Sequence, residues 1–243
     1  MLPVVVAHRT CPLQAADNSI EGILQAHRFG ADAVEVDVRV TRDGVPVLVH
    51  DRTLWRVARL PAPVELLTAR RVGRLRRRGD GSELVTLSDA LAALPAGLTM
   101  AIDIKRGGAA GATVRAVQAA GAEQRVWFWS KRRSALCRCR SLLPDVERAL
   151  LRDARTRRGV HRLLADAVRL GAGGVSAHWS VVTPAVSQAA HGSGLRLFAM
   201  ARHVEAQAGK LALLDGVVTD WPAEARASVL SRAQRGPSRD RPS

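Results

Sequence analysis

Short apolar runs alternate with helical patterns along the whole of this 243-residue chain. The runs have the length of buried strands, and the segments between them carry Ala, Leu and Arg at helical spacing. Strands that alternate with helices form a parallel sheet, because each parallel pair needs a crossover connection. Eight runs are predicted as strands, and they are residues 3–7, 33–38, 98–104, 125–130, 147–151, 174–177, 195–200 and 216–219.

Eight strand–helix units over this length favour a closed α/β structure, the TIM (β/α)8 barrel. An open doubly wound sheet is disfavoured because no Gly-rich dinucleotide fingerprint follows the first strand. No linker or large insertion interrupts the series, so a single domain is predicted over residues 1–235. Residues 236–243 have the composition of a disordered tail. The least regular part, residues 51–98, is rich in arginine and could shape a mouth suited to an anionic head group.

The formal net charge of +15 comes almost wholly from arginine. It indicates either an anionic substrate or partner, or arginine used in place of lysine on solvated surfaces. The arginines are scattered and lack interleaved aromatic residues, so no nucleic-acid partner is predicted. No signal peptide or membrane-length apolar run is present, which predicts a cytoplasmic protein without stable membrane insertion. The oligomeric state is left open.

The second predicted strand carries two carboxylates, Glu35 and Asp37, within a run of valines. Alternate residues of a strand face the same side, so both acids project together. Ionised carboxylates in an apolar strand are costly unless a cation or hydrogen bonds compensate them, which indicates a metal site. Surface salt bridges are the alternative. The chain then turns at residues 42–44 and returns through a second apolar run to His50 and Asp51.

Other polar residues follow the predicted strands, at the end of a barrel where active sites lie. They are His8, Arg9, Asp103, Lys105, Ser130, Asp220 and Trp221. Three carboxylates are hard oxygen ligands that suit Mg²⁺ or Ca²⁺, and a histidine pair beside the ion can act as general acid and base. Lys105 and Arg9 would neutralise charge on phosphoryl oxygens, which indicates phosphate-ester chemistry. Alternatively, Lys105 pairs with Asp103.

These motifs together resemble the glycerophosphodiester phosphodiesterase family. The resemblance rests on His8-Arg9, on Asp17-Asn18-Ser19, on Glu35-x-Asp37, and on residues 41–51, which end in His50-Asp51. It continues through residues 85–87, Asp103-Ile104-Lys105, Ser130, residues 144–145 and 194–197, and residues 219–222, and so covers nearly the whole chain.

The resemblance implies a TIM barrel that hydrolyses glycerophosphodiesters to sn-glycerol 3-phosphate and an alcohol. By position, Glu35, Asp37 and Asp103 would bind one divalent cation, Mg²⁺ or Ca²⁺. His8 and His50 would be the acid–base pair, and Arg9 and Lys105 would hold the substrate phosphate. The residues expected to support this site from behind are Asn18, Asp51 and Ser130.

The chain departs from the family pattern in several places. Asp103 stands where the family usually has Glu, Thr10 replaces Gly, and Lys131 and Met200-Ala201 replace pocket residues that include aromatics. The pocket changes bear on substrate identity more than on reaction type. The alternatives are a sphingomyelinase D-like or phospholipase D-like enzyme acting on lysophospholipids, and an inactive phosphate-binding barrel.

Overall fold

A closed ring of parallel strands forms the centre of the molecule. The computed structural model describes residues 2–201 and 205–235, and side chains at 205–208 and 235 are left out of the description. The barrel strands are β1 Val4–Ala7, β2 Ala33–Val40, β3 Thr99–Ile104, β4 Val126–Ser130, β5 Arg148–Leu151, β6 Gly174–His178, β7 Arg196–Met200 and β8 Gly216–Thr219.

Each barrel strand pairs in parallel with the next, and β8 pairs with β1 to close the ring. The predicted TIM barrel is therefore confirmed. Closure brings the carboxyl ends of all eight described strands to one mouth, where the sequence places its polar residues. The register sets Asp37 on β2 directly beside Asp103 on β3.

The helices are α1 Ile20–Arg28, α2 Trp55–Ala58, α3 Ala69–Gly73, α4 Leu87–Ala92, α5 Ala110–Ala119, α6 Arg133–Leu142, α7 Arg157–Leu170, α8 Pro184–Gly192 and α9 Pro222–Arg235. They cover the outside of the barrel, except that α2 and α3 belong to the segment between β2 and α4. Between β7 and β8 the sequence pattern predicts a helix over residues 204–211. Residue 204 lies outside the described residues, and the chain forms the 3-10 helix Glu205–Leu213. Hydroxyl N-caps set several helix starts, as when Ser19 accepts a hydrogen bond from the N–H of Gly22.

Alternate strand residues fill the barrel interior. The Phe198 ring lies 5.9 Å from that of Trp127 and 5.1 Å from that of Trp129, between centroids. Gly216 on the neighbouring strand makes room for it, because a Cβ there would lie 2.5 Å from the Phe198 ring. Large and small residues therefore interlock to close the barrel below the site.

The segment between β2 and α4 has its own small core, which the sequence pattern did not reveal. Strand Pro46–Leu48 runs antiparallel to β2, and a two-stranded ladder joins Thr53–Leu54 to Leu60–Pro63. The buried side chains of this core are Val47, Val49, Leu54, Val57, Val64, Val72 and Leu84. The segment is thus a packed cap beside the mouth rather than a loose connection.

No helix within the described residues combines the length and apolarity that a bilayer crossing demands. The predicted tail, residues 236–243, lies outside the described residues. The expected domain limits at residues 1–235 stay a prediction.

Replacing Gly22 with alanine is expected to destabilise the fold by about 3 kcal/mol. A Cβ on Gly22 would overlap the carbonyl oxygen of Thr10, so α1 and the loop after β1 could not keep their present contact. The free energy of unfolding from urea titration measures this. Gly111→Ala in α5 is the matched control, because its Cβ meets only the Arg115 side chain at 3.6 Å. A gain of about 0.5 kcal/mol is expected there. Equal effects of the two changes would contradict the close contact.

Candidate active site

A cavity of about 840 Å³ opens at the carboxyl ends of the barrel strands. All the residues predicted to bind the metal, the phosphate or the reacting protons line it. They are His8, Arg9, Glu35, Asp37, His50, Asp103 and Lys105. The barrel therefore gathers side chains that are spread over about a hundred positions of the sequence.

Three carboxylates converge on one side of this cavity. Glu35, Asp37 and Asp103 are 5%, 0% and 4% exposed, and each offers an oxygen within 4.8 Å of the others. Asp37 and Asp103 are neighbours in register, and Glu35 lies two residues before Asp37 on the same face of β2. Glu35 Oε2 also accepts the N–H of Arg9 at 2.9 Å.

The charges in this cluster are only partly compensated within the described residues. Burial and the neighbouring Asp37 raise the pKa of Glu35 to about 7. Burial also raises the pKa of Asp103. The Lys105 ammonium contacts both aspartates, and these charges raise the pKa of Lys105 in spite of its burial. The three acids thus have two cations near them, the Lys105 ammonium and the Arg9 guanidinium, whose Nε lies 3.5 Å from Asp37 Oδ2.

The donor set suits a hard divalent cation. Oδ1 of Asp103 is buried and has no hydrogen-bond partner among the described residues. Such an atom is costly unless a cation or a proton satisfies it. Convergent carboxylate oxygens are the ligands that Mg²⁺ and Ca²⁺ prefer. The cluster could therefore hold a metal ion.

Asn18 holds Asp37 in place. Its Nδ2 donates to Asp37 Oδ2 at 2.9 Å, and the Asp37 N–H donates to Asn18 Oδ1 at 2.7 Å. Burial opposes ionisation of Asp37, but the Lys105 ammonium and the Asn18 amide lower its pKa overall. Asn18 adopts φ +56°, a left-handed conformation that asparagine tolerates better than most residues. This buried side chain therefore favours the ionised form of a candidate ligand.

The backbone after β1 is strained. Arg9, Thr10 and Cys11 have φ values of +46°, +63° and +78°. Left-handed non-glycine residues cost on the order of 1–3 kcal/mol each and cluster at functional sites. The turn directs the N–H of Arg9 to Glu35 and leaves the Arg9 Nε 3.5 Å from Asp37 Oδ2. No feature of the sequence predicted this conformation.

Each predicted catalytic histidine contacts a carboxylate through Nδ1. His8 lies 2.6 Å from Asp220 Oδ1, and His50 lies 2.8 Å from Asp51 Oδ1. A carboxylate at Nδ1 fixes the ring and leaves Nε2 for another partner. Burial would lower the pKa of His8, but the Asp220 hydrogen bond and the Glu35 charge raise it overall. Two rings lining one cavity are thus oriented in the same way.

A set of ion pairs behind the site was missed in the sequence. Arg56 donates from Nε to Asp51 Oδ2 at 2.6 Å and from Nη2 to Asp17 Oδ2 at 2.7 Å. Arg77 is buried and donates to Asp17 Oδ1 at 3.3 Å and to the Asn18 carbonyl at 3.0 Å. The contact of Asp220 with His8 was missed as well. These two arginines tie the cap to the site rather than lining the mouth.

Ser130 lies at the end of β4, away from the cavity lining. Its Oγ donates to the carbonyl of Ile104 at 2.6 Å and accepts the N–H of Arg132 at 2.9 Å. It therefore joins the ends of β3 and β4 next to Asp103.

A sequence model of the glycerophosphoryl diester phosphodiesterase family matches residues 8–224. The chain belongs to this family. The match includes every site residue described above and most of the barrel. A Mycobacterium tuberculosis protein named probable glycerophosphodiester phosphodiesterase 2 is 37% identical over 138 residues, which are 55% of this chain and 52% of that protein. The chain thus aligns with about half the length of this curated relative of the family.

Solved structures of family members share the fold. A glycerophosphodiester phosphodiesterase of Agrobacterium tumefaciens superposes with a TM-score of 0.81 at 21% identity, over 95% of this chain and 100% of the other. A phosphodiesterase of Oleispira antarctica, solved with the product sn-glycerol-3-phosphate, gives a TM-score of 0.80 at 24% identity, over 94% and 97%. This chain therefore shares the fold of these solved family members over almost the full length of both chains.

Proposed function

We propose that this protein hydrolyses glycerophosphodiesters to sn-glycerol 3-phosphate and an alcohol with the help of one divalent cation. The observation that carries the proposal is a single cavity lined by three buried carboxylates and two histidines, each histidine held by its own carboxylate. Family membership supports the same reaction. The proposed product is also the one bound in the Oleispira antarctica structure.

Glu35, Asp37 and Asp103 are the proposed ligands of Mg²⁺ or Ca²⁺. When bound, such an ion supplies Lewis-acid polarisation of a phosphoryl oxygen. Asn18 keeps Asp37 ionised and aimed, and the Arg9 N–H holds one oxygen of Glu35 in position. The Arg9 guanidinium and the Lys105 ammonium are the proposed partners of the remaining phosphoryl oxygens, where negative charge builds during displacement.

His8 and His50 are the proposed acid–base pair. One imidazole takes a proton from the attacking hydroxyl, and the other returns a proton to the oxygen of the departing alcohol, so the proton count balances. Asp220 and Asp51 position these rings, and Asp220 also favours the protonated form of His8. The attacking hydroxyl is that of water or of the substrate's own glycerol; in the second case a cyclic phosphate forms first, and water then opens it to sn-glycerol 3-phosphate.

A cytoplasmic location is part of the proposal. Cys11, Cys137 and Cys139 are all free thiols, as is usual for proteins of a reducing compartment.

A diester panel tests the proposal. Glycerophosphocholine, glycerophosphoethanolamine and glycerophosphoglycerol are incubated with Mg²⁺, Ca²⁺ or chelator, and sn-glycerol 3-phosphate is measured. Turnover that needs a metal and stops with chelator is expected. A parallel incubation with lysophosphatidylcholine covers the lipid alternative, and turnover of the lipid alone would overturn the proposal. Absence of turnover with every substrate would instead favour the inactive phosphate-binding barrel.

A further inference from the structure

The cavity has two chemically different walls. The wall from β1, β2 and β3 carries the carboxylates and histidines already described. The other wall begins beside β3 and follows β4, β5 and β6, and it carries Lys131, Arg152, Asp153, Arg155 and His178. The proposed phosphate site occupies the first wall, so the second wall faces another part of the substrate.

The second wall has an excess of positive charge. Lys131 is exposed at the cavity edge and forms no close ion pair within the described part of the chain, and its charge reaches Asp103, where it opposes the rise in the pKa of that carboxyl. Arg155 is 61% exposed and has Asp153 Oδ2 at 3.2 Å from its Nε as its acidic partner. Arg152 contacts Asp166 at 2.8 Å. That carboxylate is shared by three arginines, which are Arg133, Arg152 and Arg169. Asp153 and Asp166 therefore leave most of this charge unbalanced.

The charged residues lie at the rim, whereas the depth of the cavity is uncharged on this side. Trp129 on β4 lines the deeper part and is 2% exposed, and the hydroxyl residue Ser176 on β6 also belongs to the lining. A small polyol such as glycerol suits a deep, uncharged pocket with a hydroxyl group. The open, basic rim suits the alcohol arm of the diester, which is the part that differs between glycerophosphodiesters.

His178 adds a hydrogen-bond donor to this rim. Its Nδ1 accepts the N–H of Ser180 at 3.2 Å, so the neutral ring carries its proton on Nε2. A donor beside two cations favours an acceptor with negative charge. A quaternary ammonium is disfavoured here by like charge, and the nearby Trp179 ring already has the Lys210 ammonium 5.9 Å from its centroid.

We propose that the preferred substrates carry an anionic group on the alcohol arm, a phosphate or a carboxylate, which Lys131 and Arg155 bind at the rim. This inference rests on the proposed function and specifies the class of its substrate. It also replaces the expectation that the arginine-rich segment of the cap shapes the anion-binding mouth, because the cavity lining contains no residue of the run 70–78 among those described.

Three diesters that differ in the charge of the alcohol test the inference. They are glycerophosphoglycerol phosphate, glycerophosphoglycerol and glycerophosphocholine, assayed at low ionic strength with metal in excess. We expect kcat/KM for the phosphorylated diester to exceed that for glycerophosphoglycerol about ten-fold, since two partly exposed ion pairs are gained. Glycerophosphocholine should be the poorest of the three. The preference should shrink with added salt.

The variant Lys131→Gln tests whether the preference for the phosphorylated diester comes from the rim of the cavity. The ratio of kcat/KM between the phosphorylated and unphosphorylated diesters should fall about three-fold, mainly through KM for the phosphorylated one. Arg115→Gln is the matched control, because it removes one exposed positive charge from α5, on the outside of the barrel. It should leave the ratio unchanged.

The outcomes separate the two levels of the proposal. Equal or faster turnover of glycerophosphoglycerol overturns the anionic preference and leaves the proposed reaction standing. If the kcat/KM ratio falls equally in Lys131→Gln and Arg115→Gln, the preference comes from general attraction of anionic substrates to a chain of net charge +15. That result overturns the assignment to Lys131. No turnover of any of the three diesters overturns the proposed function and this inference together.

Discussion

Glu35→Gln is expected to lower kcat/KM for glycerophosphodiesters on the order of a thousandfold. The change keeps the size of the side chain and an oxygen that can accept the Arg9 N–H, but it removes one of three convergent negative charges. Bound metal ions contribute several kcal/mol of transition-state charge stabilisation, which corresponds to a factor of this order. Release of sn-glycerol 3-phosphate at increasing metal concentration measures the loss.

The matched control for this change is Glu21→Gln on α1. Glu21 is an exposed carboxylate whose partners are Gln25 and Arg28 on the same helix. Its replacement should leave both activity and metal affinity unaltered. A titration with metal ions separates an effect on metal binding from an effect on the reaction itself. Glu35→Gln should weaken metal binding whether or not substrate is present. Wild-type affinity and activity in Glu35→Gln would reject the carboxylate cluster as the metal site.

His8→Ala and His50→Ala are each expected to lower kcat between about a hundredfold and ten-thousandfold, the range associated with loss of a general acid or base. Both rings line the cavity, and both are oriented through Nδ1. Metal affinity should stay close to that of the wild type, which distinguishes these variants from Glu35→Gln. His161→Ala, on the exposed face of α7, is the control and should retain full activity.

The carboxylates behind the histidines give a graded version of this test. Asp220→Asn and Asp51→Asn keep a hydrogen-bonding group at Nδ1 but remove its charge, and a loss of about ten- to a hundredfold is expected. We expect each aspartate variant to lose less activity than the variant of the histidine that it contacts. An aspartate variant that loses more than its histidine variant would show that the carboxylate has another role.

Local periodicity made most of the fold predictable. Eight apolar runs separated by helical patterns imply a parallel barrel, and strand alternation puts Glu35 and Asp37 on one face. Because all strands of such a barrel end at one mouth, His8 and Asp103 could be assigned to the same site before any contact was known. The helical segment after β7 forms a 3-10 helix over Glu205–Leu213, which hydrophobic periodicity alone does not distinguish from an α-helix.

The partners of charged residues were not predictable in the same way. Asp220 reaches His8 across 212 positions, and Arg77 reaches Asn18 across 59. An arginine that is buried behind a site has the same local sequence pattern as one in solvent. The cap core was hidden for a related reason, since its short strands and turns have no sustained period.

The sequence by itself therefore determined the barrel and the mouth, and it predicted the side chains that are proposed to react there. The tertiary structure alone decided which carboxylate orients which histidine, which amide holds Asp37, and which cations face the cavity. The physical reason is that hydrophobic periodicity is a local property of the chain. Hydrogen bonds and ion pairs instead depend on distances that exist only once the barrel has closed.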